Sequence, residues 1–150
     1  MGAGRFGINL NCVEMSTALI AIDDSEAAIR ALQYAMAAYD AIQIINVQIK
    51  AEVPIAVLRI GQDELDNMQL EHGRSQLVPA RKLLVDAGRP YREHVTIGDP
   101  AAKIVEVAKA EGVDAIVMGT RGMRALGNLA LGSTSTKVIH LADVPVTLVK

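Results

Sequence analysis

Aromatic residues are nearly missing from this chain: no Trp, one Phe and three Tyr among 150 residues. Single-stranded nucleic acid is held on aromatic stacking platforms, so that class of ligand is excluded on composition. Charge of either sign is also scarce in excess, with a formal net charge of −2 and no basic run. Bulk attraction to nucleic acid or to an anionic membrane is therefore unsupported, and any anion must be met by local groups. One cysteine, Cys12, rules out an internal disulfide and fits a reducing compartment. No apolar run approaches the ~18–20 residues that span a bilayer. What the chain does have is aliphatic bulk, 51% hydrophobic residues, most of them Ala, Val, Ile and Leu. That is enough to build one sizeable core in one domain.

The stretch Asp114–Ser135 concentrates the unusual features. Ala115–Met118 is a continuous apolar run, as in a strand buried on both faces. The pattern stops at Gly119. Gly122, Gly127 and Gly132 follow, with Arg121 and Arg124 among them, and then Ser133, Thr134, Ser135 and Thr136. From Val138 an apolar helical spacing resumes. A buried strand, a glycine loop and a hydroxyl-bearing helix start suit a backbone cradle for phosphate. An ordinary surface loop with a Ser/Thr helix cap reads the same residues equally well.

The remaining pattern alternates strand and helix. Residues 1–16 read as a flexible leader. Gly2, Gly4 and Gly7 have G-x-G-x-x-G spacing, but no strand precedes them and no helix follows, so the dinucleotide fingerprint fails. The leader also lacks the features of a signal peptide, and a cytoplasmic location is expected. Thr17–Ile22 is the first strand, ending at Asp23 and Asp24, and Ser25 is placed to cap the helix after it. Ile42–Ile49 is the second strand. Asp63–Ala87 reads as a long helix broken by Pro79 and stopped by Gly88. Tyr91–Ile97 is a more polar strand and so belongs near an edge. Pro100 suits the first turn of the next helix, which Gly112 ends. Val113–Met118, a helix from Ser133 to about Leu141 and a closing strand at Val144–Val149 complete the chain. Strands alternating with helices specify a doubly wound α/β fold with a parallel sheet.

Several chemistries fail on inspection. Gly127 to Thr134 resembles a P-loop except that Ser133 stands where the phosphate-reaching lysine belongs. His72, His94 and His140 have no metal-ligand spacing. There is no G-x-S-x-G elbow, and Cys12 has no evident base. No catalytic or metal-binding residue is assigned. Binding remains, with Asp23 at a strand's carboxyl end, where open parallel sheets place ligands. Gly119 and Gly122 would let the backbone approach a ligand, and Gly132 would clear the helix start. Ser133, Thr134 and Ser135 would supply N–H groups and hydroxyls, and Arg121 and Arg124 charge.

The spacing Gly119-x2-Gly122-x9-Gly132-Ser133 resembles the G-2x-G-9x-G-(S/T) signature of the ATP-binding branch of the universal stress protein family. Pro145–Val149 resembles that family's closing strand, and the segment from Ile20 to Leu32 its first strand and helix. The likeness covers nearly all of 17–150 and implies a five-stranded parallel sheet in the order 3-2-1-4-5. It implies that Ala21, Asp23, Val47 and Met118 flank adenine or ribose. Gly119, Gly122, Gly132, Ser133, Thr134 and Ser135 would hold the phosphates, with Arg121 and Arg124 at variable loop positions. Asp24 departs from the family, which often has glycine there. The implied ligand is ATP or a related adenine nucleotide, with Mg2+ or Mn2+ as the accompanying ion. The implied assembly is a homodimer through residues 144–149. The expected role is a nucleotide-dependent stress or signalling switch, at most a weak ATPase. A dimeric interaction or chaperone module that binds no nucleotide is the alternative, and an enzyme of the related nucleotide α-hydrolase group ranks third.

Overall fold

The computed structural model describes residues 15–51, 60–120 and 131–150. Strands Thr17–Ala21 (β1), Ala41–Gln48 (β2), Tyr91–Ile97 (β3), Ala115–Gly119 (β4) and Val146–Val149 (β5) form one sheet in the order β3-β2-β1-β4-β5. Every pairing is parallel. Helices Glu26–Ala38 (α1), Gln62–Gln76 (α2), Val78–Asp86 (α3), Pro100–Glu111 (α4) and Ser133–Leu141 (α5) make the crossovers.

Alternation along the central strands divides the core in two. Ile20, Ile44 and Val117 pack with Ala28, Leu32, Leu77 and Leu84 on the α1–α3 face. Leu19, Ile45, Ile116 and Met118 pack with Ala101, Ile104, Ala108 and Val138 on the α4–α5 face. β1 and β4 are apolar on both sides because both faces are covered. β3, the polar strand, lies at one edge as its composition indicates.

Punctuation acts where the sequence places it. Ala28 N–H donates to Ser25 Oγ at 3.2 Å, which caps α1. Pro79 occupies the first turn of α3, and the expected long helix is two helices meeting at Leu77. Gly112 ends α4 in the left-handed conformation, φ 61°. The other end of α1 uses a residue distant in sequence. Its last turn has no basic side chain, and the Arg89 guanidinium donates to the carbonyls of Met36 and Tyr39 at 2.8 and 2.6 Å. Two expectations shift. The fifth strand begins at Val146 rather than Val144, because Pro145 has no N–H to give a ladder; its carbonyl accepts from Ile116 N–H at 2.9 Å. Met68 of α2, an apolar residue that would be expected on the core face of its helix, is 59% exposed.

Residues 1–14 of the expected leader lie outside the described residues. Ser16, its last residue, donates through its N–H and hydroxyl to Asp40 Oδ2 at 3.0 and 2.9 Å. The Ser16 N–H, then its hydroxyl, hold the Asp40 carboxyl below the ordinary carboxylate range. Asp99 is lowered by the Ala102 N–H first and by Lys137 as well. Both groups are more acidic folded than unfolded, so their stabilisation is complete above the unfolded value and is lost as pH falls through the folded one. The melting temperature should therefore begin to fall below about pH 4, and the fall should be shallower in an Asp40→Asn, Asp99→Asn double variant. Parallel acid titrations of the two proteins by circular dichroism check this.

Candidate functional site

The strand order reverses between β1 and β4, since β1 leads to β2 on one side and β4 lies on the other. In such sheets the carboxyl ends of the strands splay apart at that point and leave a crevice. A cleft of about 380 Å3 lies there, within the range of about 300–1,000 Å3 typical of small-molecule sites. Ala21, Asp23, Val47, Met118, Gly119, Gly132, Ser133, Thr134 and Ser135 all line it. β1, β2, β4 and the first turn of α5 are thus brought to one place. Arg121, Gly122 and Arg124 fall outside the described residues.

Asp23 is the one charged residue among the described residues that line the cleft. Its Oδ1 accepts from Ser25 N–H at 3.1 Å and from the Ser25 hydroxyl. Its carboxylate is thereby oriented at the strand end. Asp24 needs no glycine geometry, because no described non-glycine residue has positive φ.

Three helices start around this crevice, and they start differently. Ser25 closes the first turn of α1, and Asp99 closes that of α4 by accepting from Ala102 N–H at 3.0 Å. α5 starts at Gly132, which has no side chain to accept from its first N–H groups. The hydroxyl cluster therefore follows the cap instead of forming it, and the Ser/Thr cap reading is overturned. Ser133 and Thr134 are the first helical residues, at the positive end of the helix dipole. α2 also starts at a glycine, Gly61, but Gly61 is not on the cleft and Asp63 and Glu64 occupy its first turn.

Two expected ligand contacts have another use. Ser135 is 2% exposed and its hydroxyl donates to the Gly119 carbonyl at 3.0 Å, so its proton ties α5 to β4. At Gly119 an added Cβ would lie 2.8 Å from Ala27 Cβ and 3.0 Å from the Ala27 carbonyl carbon. The missing side chain at Gly119 accommodates α1. Thr120 and Gly132 then meet, with Gly132 N–H donating to the Thr120 carbonyl at 2.8 Å. That bond draws together the two ends of the glycine loop.

Sequence reasoning missed the α2 side of the cleft, lined by Asn46, Gln48, His72 and Gln76. Isolated amide residues carry no motif, and only the packing of α2 on β2 assembles them. Among the described residues no group of three or more His, Cys, Asp or Glu could hold a metal ion. None of the described helices is long and apolar enough to cross a membrane.

The model of the universal stress protein family matches residues 15–150. The chain belongs to that family. A universal stress protein of Thermus aquaticus is 36% identical over 137 residues, covering 89% of this chain and 98% of the relative. Universal stress protein MJ0577 of Methanocaldococcus jannaschii is 35% identical over 89 residues, 59% of this chain and 55% of that protein. The solved structure of MJ0577 matches over 92% of this chain and 97% of its own, at 30% identity and a TM-score of 0.79. A universal stress protein solved in complex with cAMP shares the fold, with a TM-score of 0.65 and 22% identity over 91% of this chain and 97% of that one. The order β3-β2-β1-β4-β5 is that of a doubly wound universal stress protein domain.

Proposed function

We infer that this universal stress protein binds an adenine nucleotide, ATP with Mg2+ or Mn2+, in the cleft between β1 and β4. The observation that carries the reading is the start of α5, the one helix of the crevice whose first-turn N–H groups meet no side-chain cap among the described residues. Phosphate oxygens at Ser133 and Thr134 would satisfy those donors and meet the dipole's positive end. Ala21, Val47 and Met118 supply apolar contact for adenine, and Asp23 lies within the cleft for a ribose hydroxyl or the hydrated cation. Gly122 would help hold the phosphates, and Arg121 and Arg124 would add charge; all three lie outside the described residues. The family member in complex with cAMP supports an adenine nucleotide as the ligand class.

The role that follows is a cytoplasmic stress-response switch in which bound nucleotide biases a partner surface. Hydrolysis would be slow at most, because Ser133 stands where a P-loop has the lysine that reaches the terminal phosphates. A homodimer through 144–149 would cover the β5 edge, whose Val146 and Leu148 are partly buried already.

Saturating Mg–ATP at about 100 times its dissociation constant should stabilise the fold by about 2.7 kcal/mol, a rise of roughly 5–10 °C in melting temperature. Gly132→Val should abolish the rise while remaining folded, since Gly132 sits at φ −71° and ψ 157°, open to any residue. Differential scanning fluorimetry of both proteins is the check. No rise in the parent at millimolar Mg–ATP favours the interaction-module reading.

A further inference from the structure

α2 is a 15-residue helix whose one buried residue is Gly73. Side-chain amides join it to the sheet, and one backbone group sets the direction of all of them. The Ile22 carbonyl can only accept, so Asn46 must turn Nδ2 toward it, at 2.9 Å. The second Nδ2 proton goes to Gln76 Oε1 at 2.8 Å. Asn46 Oδ1 then accepts from Gln48 Nε2 at 2.6 Å, whose other proton also reaches Gln76 Oε1, at 3.0 Å. Gln76 Nε2 is left facing His72 Nε2 at 3.3 Å, which makes that ring nitrogen the acceptor. Reversing any one amide sets donor against donor or acceptor against acceptor. Among the described residues, Gln48 Oε1 receives no hydrogen bond and Gln76 Nε2 keeps one proton. All four side chains line the cleft.

We propose that Gln48 and Gln76 discriminate the nucleobase, and that Asn46 is the positioning residue that makes them selective. The inference rests on the nucleotide reading above. An unrestrained glutamine turns its amide over and suits either purine. A restrained one shows a fixed acceptor and a fixed donor. Phosphates held at α5 set which way round the base enters. Adenine offers an amino donor beside a ring-nitrogen acceptor, which complements Gln48 Oε1 and Gln76 Nε2. Guanine presents a carbonyl acceptor beside an imino donor and meets like with like.

The test is isothermal titration of ATP and GTP, each with Mg2+, into the parent, Asn46→Leu and Gln76→Glu. The parent should prefer ATP by at least about tenfold, the effect of one mispaired hydrogen bond. Asn46→Leu leaves the Gln48–Gln76 bond but frees the two amides to reverse together, and the two affinities should come within about threefold of each other. Gln76→Glu keeps the shape and the Oε1 acceptor but replaces the donor, so the preference should move toward GTP by about tenfold. Its added charge weakens both triphosphates alike and cancels in the ratio. A loss of helix packing would weaken both nucleotides without changing the ratio. Equal affinities in the parent, or the parental ratio in both variants, would overturn the proposal and leave nucleotide binding standing. Failure of either nucleotide to bind the parent would overturn the nucleotide reading itself.

Discussion

Gly119→Ala should lower the melting temperature by roughly 3–10 °C, corresponding to about 1–3 kcal/mol of overpacking. The new methyl would lie 2.8 Å from Ala27 Cβ, 3.0 Å from the Ala27 carbonyl carbon and 3.2 Å from Ala28 N. Two of those three atoms are backbone, so no side-chain rotation relieves the contact. α1 must retreat, and it carries Ala28, Ala31, Leu32 and Ala35 into the core. Gly119→Val should be worse and should impair folding. Loss of nucleotide binding in a Gly119 variant would then report a displaced helix, which makes Gly132 the better probe of the site. Thermal denaturation of Gly119→Ala by circular dichroism decides it, and a melting temperature within 1 °C of the parent would refute the packing account.

Gly73→Ala should destabilise as well, although helix propensity alone argues the reverse by about 1 kcal/mol. A Cβ at Gly73 would stand 2.5 Å from Val95 Cγ1 and 2.8 Å from Asn46 Oδ1. Both neighbours are short side chains, and Asn46 is held by the Ile22 carbonyl. The helix must therefore move outward, which separates Gln76 from Asn46. We expect a net loss of about 1–2 kcal/mol and faster amide hydrogen exchange across Gln62–Gln76 than in the parent. Unchanged exchange in that helix with a raised melting temperature would mean that propensity wins and that the close approach relaxes without cost.

The two glycines show where sequence reading stops. Gly112 and Gly88 were legible as helix ends because a left-handed residue is a local requirement, set by neighbours in the chain. Gly119 and Gly73 answer to atoms far away in sequence. Gly119 is legible as room for a ligand, but that an added Cβ there would also meet α1 is not; Gly73 has no local signal at all. Ser135 follows the same pattern, since its hydroxyl suits a phosphate on paper and points at the Gly119 carbonyl in the fold.

Apolar runs bounded by Gly, Pro and Asp determined, without any structure, the alternation of strands and helices and the edge position of β3. They also pointed to the carboxyl ends of β1 and β4, where the cleft lies. These follow from periodicity and turn chemistry, which act over a few residues. Tertiary structure alone decided which helix start stays open, which glycines serve packing, and which way the amides of Asn46, Gln48 and Gln76 point. The last two depend on hydrogen bonds or close approaches between segments at least 16 residues apart, and no local pattern encodes such a meeting.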